Sequence, residues 1–534
     1  MKYDHHLSVF NYVLLHNTMQ SLKEFTMYTK ASLTVREAYA LLANTEALGA
    51  TESLMVENAG FAVATFLKRQ HRQDRLLFVC GTGGMGAIGL SAARHSMMQF
   101  DMEVVLVGDP SELHNSVAKK NYELLADMMD IHSITSEGMD KFRKLAKWSD
   151  DIIDSITGIG MKGRLTGQVV GVIKAINESR KYTISIDVPS GINATTGMKN
   201  MAAVVPDLVL AIHKVKAGVE KSRPKELTTL DIGLPITAEL FVGPGDVMLA
   251  TRPRSVYTNK YENGSVLILG GGARFKGAPV LGGYGASNAL SALKAGSGYV
   301  TILAPKSAAH AMSMMSPELI VNPMSSDTLQ PQDVASIGAI KHDVLIFGSG
   351  IDPDIAQYKP LKALLDAEKK AGKPVVIDGT GLKLISKYKN LITSNMVLTP
   401  HDGEFKALSG KDTKQQPLYK RIYSALDFAK TYGCTLVLKG HDTIITDGKL
   451  LKINRAKTPV LATMGTGDIL AGIIASYAAL NSSLFESAAA AVYVHAVTGD
   501  RLYAQRGMHI TAQDVLDGLP ETMKQFDIIS PKMV

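Results

Sequence analysis

The sequence predicts an α/β protein of two domains, each built on a largely parallel sheet. Three observations carry the prediction. Short runs rich in Val, Ile and Leu alternate with helical patterns along the whole chain. At 534 residues the chain is longer than one core usually organises. Glycines and polar side chains gather where the apolar runs end, as they do where an open sheet receives ligands at the carboxyl ends of its strands.

The first half opens on RLLFVCGTGGMGAIGLSAARHS, a strand, a glycine loop and a helix over Arg75–Ser96. Gly81, Gly83 and Gly86 have G-x-G-x-x-G spacing, a dinucleotide fingerprint if taken alone. The acidic strand end such a site needs is missing, because EVVLVGDP places Asp109 behind a glycine. DDIIDSITGIGMKGRLTG then puts Asp154 at a strand tip with a glycine loop behind it. TISIDVPSGINATTG brings Asp187 and Ser190 to another tip, and PDLVLAIHKVKAG is one more buried strand ending near Lys214. Two carboxylates at neighbouring strand ends above a glycine loop suit an acid/base or cation site. The plainer alternative is that Asp187 caps a turn held by Pro189.

Periodicity breaks in VGPGDVMLATRPRSVYTNKYENG, which places the boundary near Ala250. The expected division is an extension over 1–30, a first domain over 31–250 and a second over 251–534. In the second, LILGGGARFKGAPVLGGYGASNALSALKAGSGYVTIL is strand, glycine turn and a helix of small residues. VLTPHDGEF ends a strand at His401, with Glu404 opening a helix, and TLVLKGHDTII brings a strand to Lys439 and Gly440. TMGTGD, Thr463–Asp468, leads into ILAGIIASYAAL. Gly465 and Gly467 let consecutive N–H groups converge, and the helix that follows adds its positive dipole end. A carboxylate beside such an anion hole suits the removal of a proton from a hydroxyl that attacks a phosphoryl group. The bland alternatives are an N-capping Asp468, a turn-capping His401 and a solvated Lys439.

These residues carry a resemblance. GGGARFKGAP, LTPHDGEF, VLKGHDTI, TMGTGDILAG and AAAAVYVHAVTGD, spread from about Lys260 to Leu519, resemble the NAD(P)H-hydrate dehydratases. That implies a ribokinase-like α/β domain that uses ADP or ATP, with Mg2+, to remove water from hydrated NADH or NADPH (NADHX, NADPHX). It also implies Ala278, Gly350 and His401 at the hydrate, with Lys439, Gly440, His441, Asp442, Thr443 and Gly467 at the adenine nucleotide. Asp468 would touch the hydrate and serve as the base. Phosphorylating the ring hydroxyl turns a poor leaving group into phosphate, which the ring nitrogen can expel. Magnesium keeps much of its water in such sites, so the expectation includes no dedicated protein ligands for it.

LMVENAG, AARHS, DSITGIG, SIDVPSG and TLDIGLP, between about Leu33 and Val247, resemble the NAD(P)H-hydrate epimerase domain. That implies a Rossmann-like three-layer αβα domain interconverting the R and S hydrates. Asp154 and Ser190 would bind potassium. Gly158, Ile159, Gly160, Met161, Lys162, Gly163, Arg164 and Asp187 would touch substrate. One stretch departs from the family. Where the glycine loop is usually Asn-Asn-Gly-Gly-Asp-Gly, this chain has Met85 for the second Asn, a potassium ligand in the family, and Ile88 for the Asp. A thioether and a branched alkyl cannot coordinate a hard cation. The epimerase site is therefore either rebuilt from other oxygens or reduced to a binding or scaffolding module, as in an mRNA-decapping scaffold protein. A vitamin-precursor kinase of the same ribokinase-like fold is the other alternative, against which TPHDGE and the fused first half stand.

A composition of 46% hydrophobic and 20% charged residues is that of a globular protein, with no low-complexity tract or repeat. A net charge of +7, with no Lys/Arg stripe interleaved with aromatics, is no nucleic-acid footprint. Cys80 and Cys434 sit in buried strand patterns, so a reducing cytoplasm is the expectation. MKYDHHLSVFNYVLL reads poorly as a signal peptide and is too short to span a membrane; Met19 or Met27 could be the start. The small residues from Gly277 to Gly296 would allow close helix packing between subunits, hence a homo-oligomer.

Overall fold

A strand covered on both faces must be apolar at consecutive positions, and Arg75–Cys80 (β1) is so after its first residue. In the computed structural model, which describes residues 22–70, 75–135, 138–271, 283–349, 351, 358–481 and 483–530, β1 lies in the interior of a seven-stranded sheet. The other strands of that sheet are Asp101–Val107 (β2), Ile131–Ile134 (β3), Asp151–Ser155 (β4), Tyr182–Ile186 (β5), Leu208–Ile212 (β6) and Glu226–Leu230 (β7). All are parallel, in the order β3-β2-β1-β4-β5-β6-β7. Alternation sends Leu76 and Phe78 to one face, among residues of helices Glu52–Gln70 (α1) and Gly84–Ser96 (α2). Leu77 and Val79 go to the other, with Phe142 and Ile173. The result is the expected three-layer αβα arrangement.

The second sheet has nine strands. They are Ser265–Leu269 (β8), Tyr299–Ala304 (β9), Ile320–Pro323 (β10), Val344–Phe347 (β11), Val375–Ile377 (β12), Met396–Leu398 (β13), Thr435–Leu438 (β14), Asp442–Thr446 (β15) and Leu451–Arg455 (β16). Their order is β10-β9-β8-β11-β12-β13-β14-β15-β16, parallel up to β14, with β15 and β16 added as an antiparallel edge. Helices Pro244–Ala250 (α3), Gly283–Lys294 (α4), Asp402–Ser409 (α5), Leu418–Tyr432 (α6), Thr466–Leu480 (α7) and Leu484–Arg506 (α8) matter below. Val266, Ile268, Ile302, Ile346, Val376, Val397 and Val437 share one core with Ile473, Ile474 and Ala488 of α7 and α8.

The chain divides into two compact units between Ala238 and Glu239, not near Ala250. Residues 239–250 belong to the second unit for physical reasons: Val242 N–H donates to Ile453 O at 2.9 Å, and the buried Asp246 pairs with Lys452 at 3.1 Å. Residues 22–29, expected as an extension, also lie in the second unit; Leu22 and Phe25 are fully buried there. Among the described residues no helix is long and apolar enough to cross a membrane.

Within the chain, α4 packs closely against α7. A Cβ on Gly472 of α7 would lie 1.9 Å from Ser291 Oγ and 2.4 Å from Asn288 O, so α4 and α7 cross at van der Waals contact only because residue 472 is glycine.

Candidate functional site

In the second unit the strand ends converge as expected. Gly465, with φ of 92°, is the N-cap of α7 and makes no side-chain cap bond, so Asp468 is not the cap but sits in the first turn. The Thr466 hydroxyl ties the turn down by donating to Leu461 O at 2.7 Å and Thr463 O at 2.8 Å. Behind the turn, burial pushes the His495 imidazole down to about 4, so a neutral ring backs Thr466. Asn288 Nδ2 reaches the Asp468 carbonyl at 2.6 Å.

Asp468 is half-buried, and its carboxyl is pushed up to about 7. Burial is the largest cause and the charge of Asp378 the next. Lys439 opposes the rise, as does the buried Ser349 hydroxyl, which lies close by without a hydrogen bond of good geometry. Such a group can accept a proton near neutral pH.

Lys439 is not a solvated strand end. Its Nζ pairs with Asp378 Oδ1 at 2.8 Å, and a Cβ on Gly467 would stand 3.3 Å from it. The ammonium therefore lies directly under the glycine turn. His401 is a cap: Nδ1 accepts from Gly403 N–H at 3.0 Å, while Glu404 answers the His401 N–H at 3.0 Å. Its ring is still well exposed and open to a ligand. Burial foremost pushes the Glu404 carboxyl up, and Lys439 resists.

The predicted nucleotide segment Lys439–Thr443 is the turn between β14 and β15 together with the first two residues of β15. Thr443 Oγ1 donates to Gly440 O at 3.1 Å and closes it. Asp442 is held by Arg455 at 2.6 Å, and His441 is exposed. Arg421 of α6, buried beneath the turn, donates to Asp442 O at 2.6 Å. Gly467 joins this segment through Lys439; Ala278 and Gly350 lie outside the described residues. Among the described residues no three His, Cys, Asp or Glu are grouped so that they could hold a metal ion.

In the first unit Asp154 and Ser190 meet, but each is already engaged. Asp154 Oδ1 accepts from Ser190 Oγ at 2.6 Å, and Oδ2 accepts from Ser185 Oγ at 2.7 Å and Ser190 N–H at 2.9 Å. Ser190 Oγ in turn accepts from Thr157 N–H at 2.8 Å. Burial pushes the Asp154 carboxyl up, against these donors. Met85 points its methyl end over Gly158: a Cβ there would lie 2.4 Å from Met85 Cε. Met85 and Ile88 pack against the apolar core. Met85 and Ile88 thus offer no oxygen to a hard cation, while Asp154 and Ser190, expected to bind potassium, are brought together and hydrogen-bonded to each other.

Asp187, at a left-handed φ of 62°, is buried and bound by Lys216 Nζ at 2.5 Å and Ile212 N–H at 2.9 Å, so it is an ion-paired acid rather than a turn cap. In the loop 158–164, Gly158 is buried, Ile159 and Met161 are half-buried, and Gly160, Lys162, Gly163 and Arg164 are exposed. Asn200 clamps it, with Nδ2 to Gly163 O at 2.9 Å and Oδ1 to Leu165 N–H at 3.3 Å. Asp378, Arg421, Lys216, Asn200 and Asn288 were not singled out in the sequence. Only Asp378, a strand-end Asp before Gly379, carries the kind of signal that identified the others.

Two family profiles match the chain: "NAD(P)H-hydrate dehydratase" over residues 266–521 and "YjeF-related protein N-terminus" over residues 52–218. A bifunctional NAD(P)H-hydrate repair enzyme of Pyrobaculum aerophilum is 32% identical over 93% of this chain and 98% of its own. One of Hyperthermus butylicus is 33% identical over 90% of each. Among solved structures, an ADP/ATP-dependent NAD(P)H-hydrate dehydratase from Bacillus subtilis, co-crystallised with ATP and Mg2+, is 22% identical. It covers 54% of this chain and 99% of its own, with a TM-score of 0.44.

Proposed function

Because the chain belongs to the bifunctional NAD(P)H-hydrate repair enzymes, we propose that it restores NADH and NADPH from their hydrates in the cytoplasm. The observation that carries the reading is Asp468, held near neutral titration beside a glycine turn with a lysine beneath it. Asp468 takes the proton of the hydrate's hydroxyl as that oxygen attacks the terminal phosphoryl of ADP or ATP. The N–H groups of the Gly465–Gly467 turn and Lys439 receive the transferring charge. The phosphorylated oxygen then leaves as phosphate, expelled by the ring nitrogen, and loss of a ring proton restores the dihydropyridine. Magnesium, when bound, supplies charge that gathers the nucleotide oxygens.

In the first unit Asp187, with Lys216 at 2.5 Å, is the proton-handling pair. The loop 158–164 offers Lys162 and Arg164 to an anionic dinucleotide. This unit interconverts the R and S hydrates with no step through potassium.

The test is absorbance in the NADH band with mixed R and S hydrate, magnesium and ADP or ATP. Full recovery, faster than spontaneous epimerisation supplies the S form, is the expected result. Recovery of the S portion alone would make the first unit a non-catalytic module. No recovery with either nucleotide would overturn the reading in favour of a vitamin-precursor kinase. Asp468→Asn should abolish turnover while nucleotide binding, followed by calorimetry, persists.

A further inference from the structure

β12 is followed directly by Asp378, a carboxylate only 4% exposed. Its Oδ1 accepts from Thr399 Oγ1 at 2.7 Å and from Lys439 Nζ at 2.8 Å. Its Oδ2 faces the glycine turn, 3.9 Å from where a Gly467 Cβ would stand. The backbone around it is tight: a Cβ on Gly348, whose φ is 119°, would lie 2.3 Å from Asp378 O. Asp378 is therefore fixed at both its side chain and its main chain.

A lysine ammonium is a point charge on a flexible stem, and it stays in one place only if something holds it. Here a buried carboxylate does so, at 2.8 Å. We propose that Asp378 is a positioning residue for phosphoryl transfer: it tethers the Lys439 ammonium beneath Gly467 and supplies the negative charge that balances Lys439 against Asp468. The inference rests on the reading of Asp468 as the base.

Among the described residues, few charges face this cluster. Asp378 follows β12, Lys439 follows β14, His401 caps α5, Glu404 lies in α5, and neutral His495 lies in α8. Burial works against the Lys439 charge, but Asp378, then Glu404 and Asp468, more than offset it. At Asp468, burial and then Asp378 raise the carboxyl, and Lys439 lowers it. Without Asp378 the cation would act on Asp468 with only Glu404 opposing it and would be free to drift from the turn.

The experiment follows kcat/KM for hydrate dehydration from acid to alkaline pH in the wild type, Asp378→Asn, Asp378→Glu and Lys439→Met. The wild type should lose activity on the acid side with a midpoint near the Asp468 value of about 7. Asp378→Asn should move that midpoint to lower pH and slow the reaction about 10- to 100-fold, since a misplaced charge at a reacting centre costs that much. Asp378→Glu keeps the charge and should keep the midpoint while losing rate. Lys439→Met removes the cation and should move the midpoint up.

If Asp378→Asn keeps both midpoint and rate, the proposal is overturned and the base reading stands. If both Asp378 variants lose rate with an unmoved midpoint, Asp378 is structural only and the proposal also fails. If the wild type shows no acid limb, or Asp468→Asn turns over normally, the base reading itself falls.

Discussion

Asp468 carries a cost that its chemistry explains. Its carboxyl ionises near 7 in the folded chain against an ordinary 3.8, so the folded state penalises the charged form. The sign follows from linkage: stability declines as pH rises from about 4 through 7, because the unfolded chain releases the proton more readily. Asp468→Asn should therefore stabilise the second unit at pH 8 by up to about 4 kcal/mol, since each pH unit between the two ionisation points is worth roughly 1.4 kcal/mol. The gain should vanish below pH 4, which denaturant melts at the two pH values would check. The same balance of activity against stability is common at active sites. Met85 supports a second expectation. With Asp154 and Ser190 engaged with each other, exchanging potassium for sodium should leave the epimerisation rate unchanged. A clear potassium requirement would show that those hydrogen bonds open to admit the ion.

At the scale of elements, the crossing of α4 and α7 couples packing to the site. Asn288 of α4 holds the Asp468 carbonyl, and one turn further along α7 Gly472 lies against Ser291. Gly472→Ala would force the helices apart and cost about 1–3 kcal/mol, as overpacking of a filled core usually does. It should also lower kcat by shifting Asp468, and a variant with unchanged melting and kcat would refute the coupling. Some of this was legible in the sequence. TMGTGD reads as turn plus helix start because Gly465 needs positive φ there, and His401 reads as a strand end because Pro400 precedes it. Asp378 offered the same kind of cue in VVIDGTG, but a lone Asp-Gly also marks an ordinary turn, and only the pairing with Lys439 separates the two. The Asp187–Lys216 and Asn200–Gly163 pairs were not legible, since each depends on which strands and loops the crossovers bring together.

At the scale of the whole chain, two α/β units could be read from alternating patterns, but their limits could not. The Pro and Gly of VGPGDVMLA suggested a linker, yet Gly243 and Pro244 begin α3, with Pro at its first position and Asp246 closing the cap. The early residues are the other instance. Phe25 is fully buried and lies 5.2 Å, ring to ring, from Tyr423 of α6. Phe25→Ala should destabilise the second unit by about 3–5 kcal/mol, seen as a lower melting temperature of that unit in calorimetry. An unchanged transition would mean that residues 22–29 contribute only weakly.

That docking also imposes an order in time. Glu24 and Tyr423, which share a hydrogen bond, are 399 residues apart in the chain. A ribosome adding about 5–20 residues each second needs roughly 20–80 s to cover that distance. Through that interval Leu22 and Phe25 are already made while their binding surface is not. The apolar segment that completes the second unit is thus synthesised well before the surface that shelters it, which makes it a natural handle for a chaperone that meets the nascent chain.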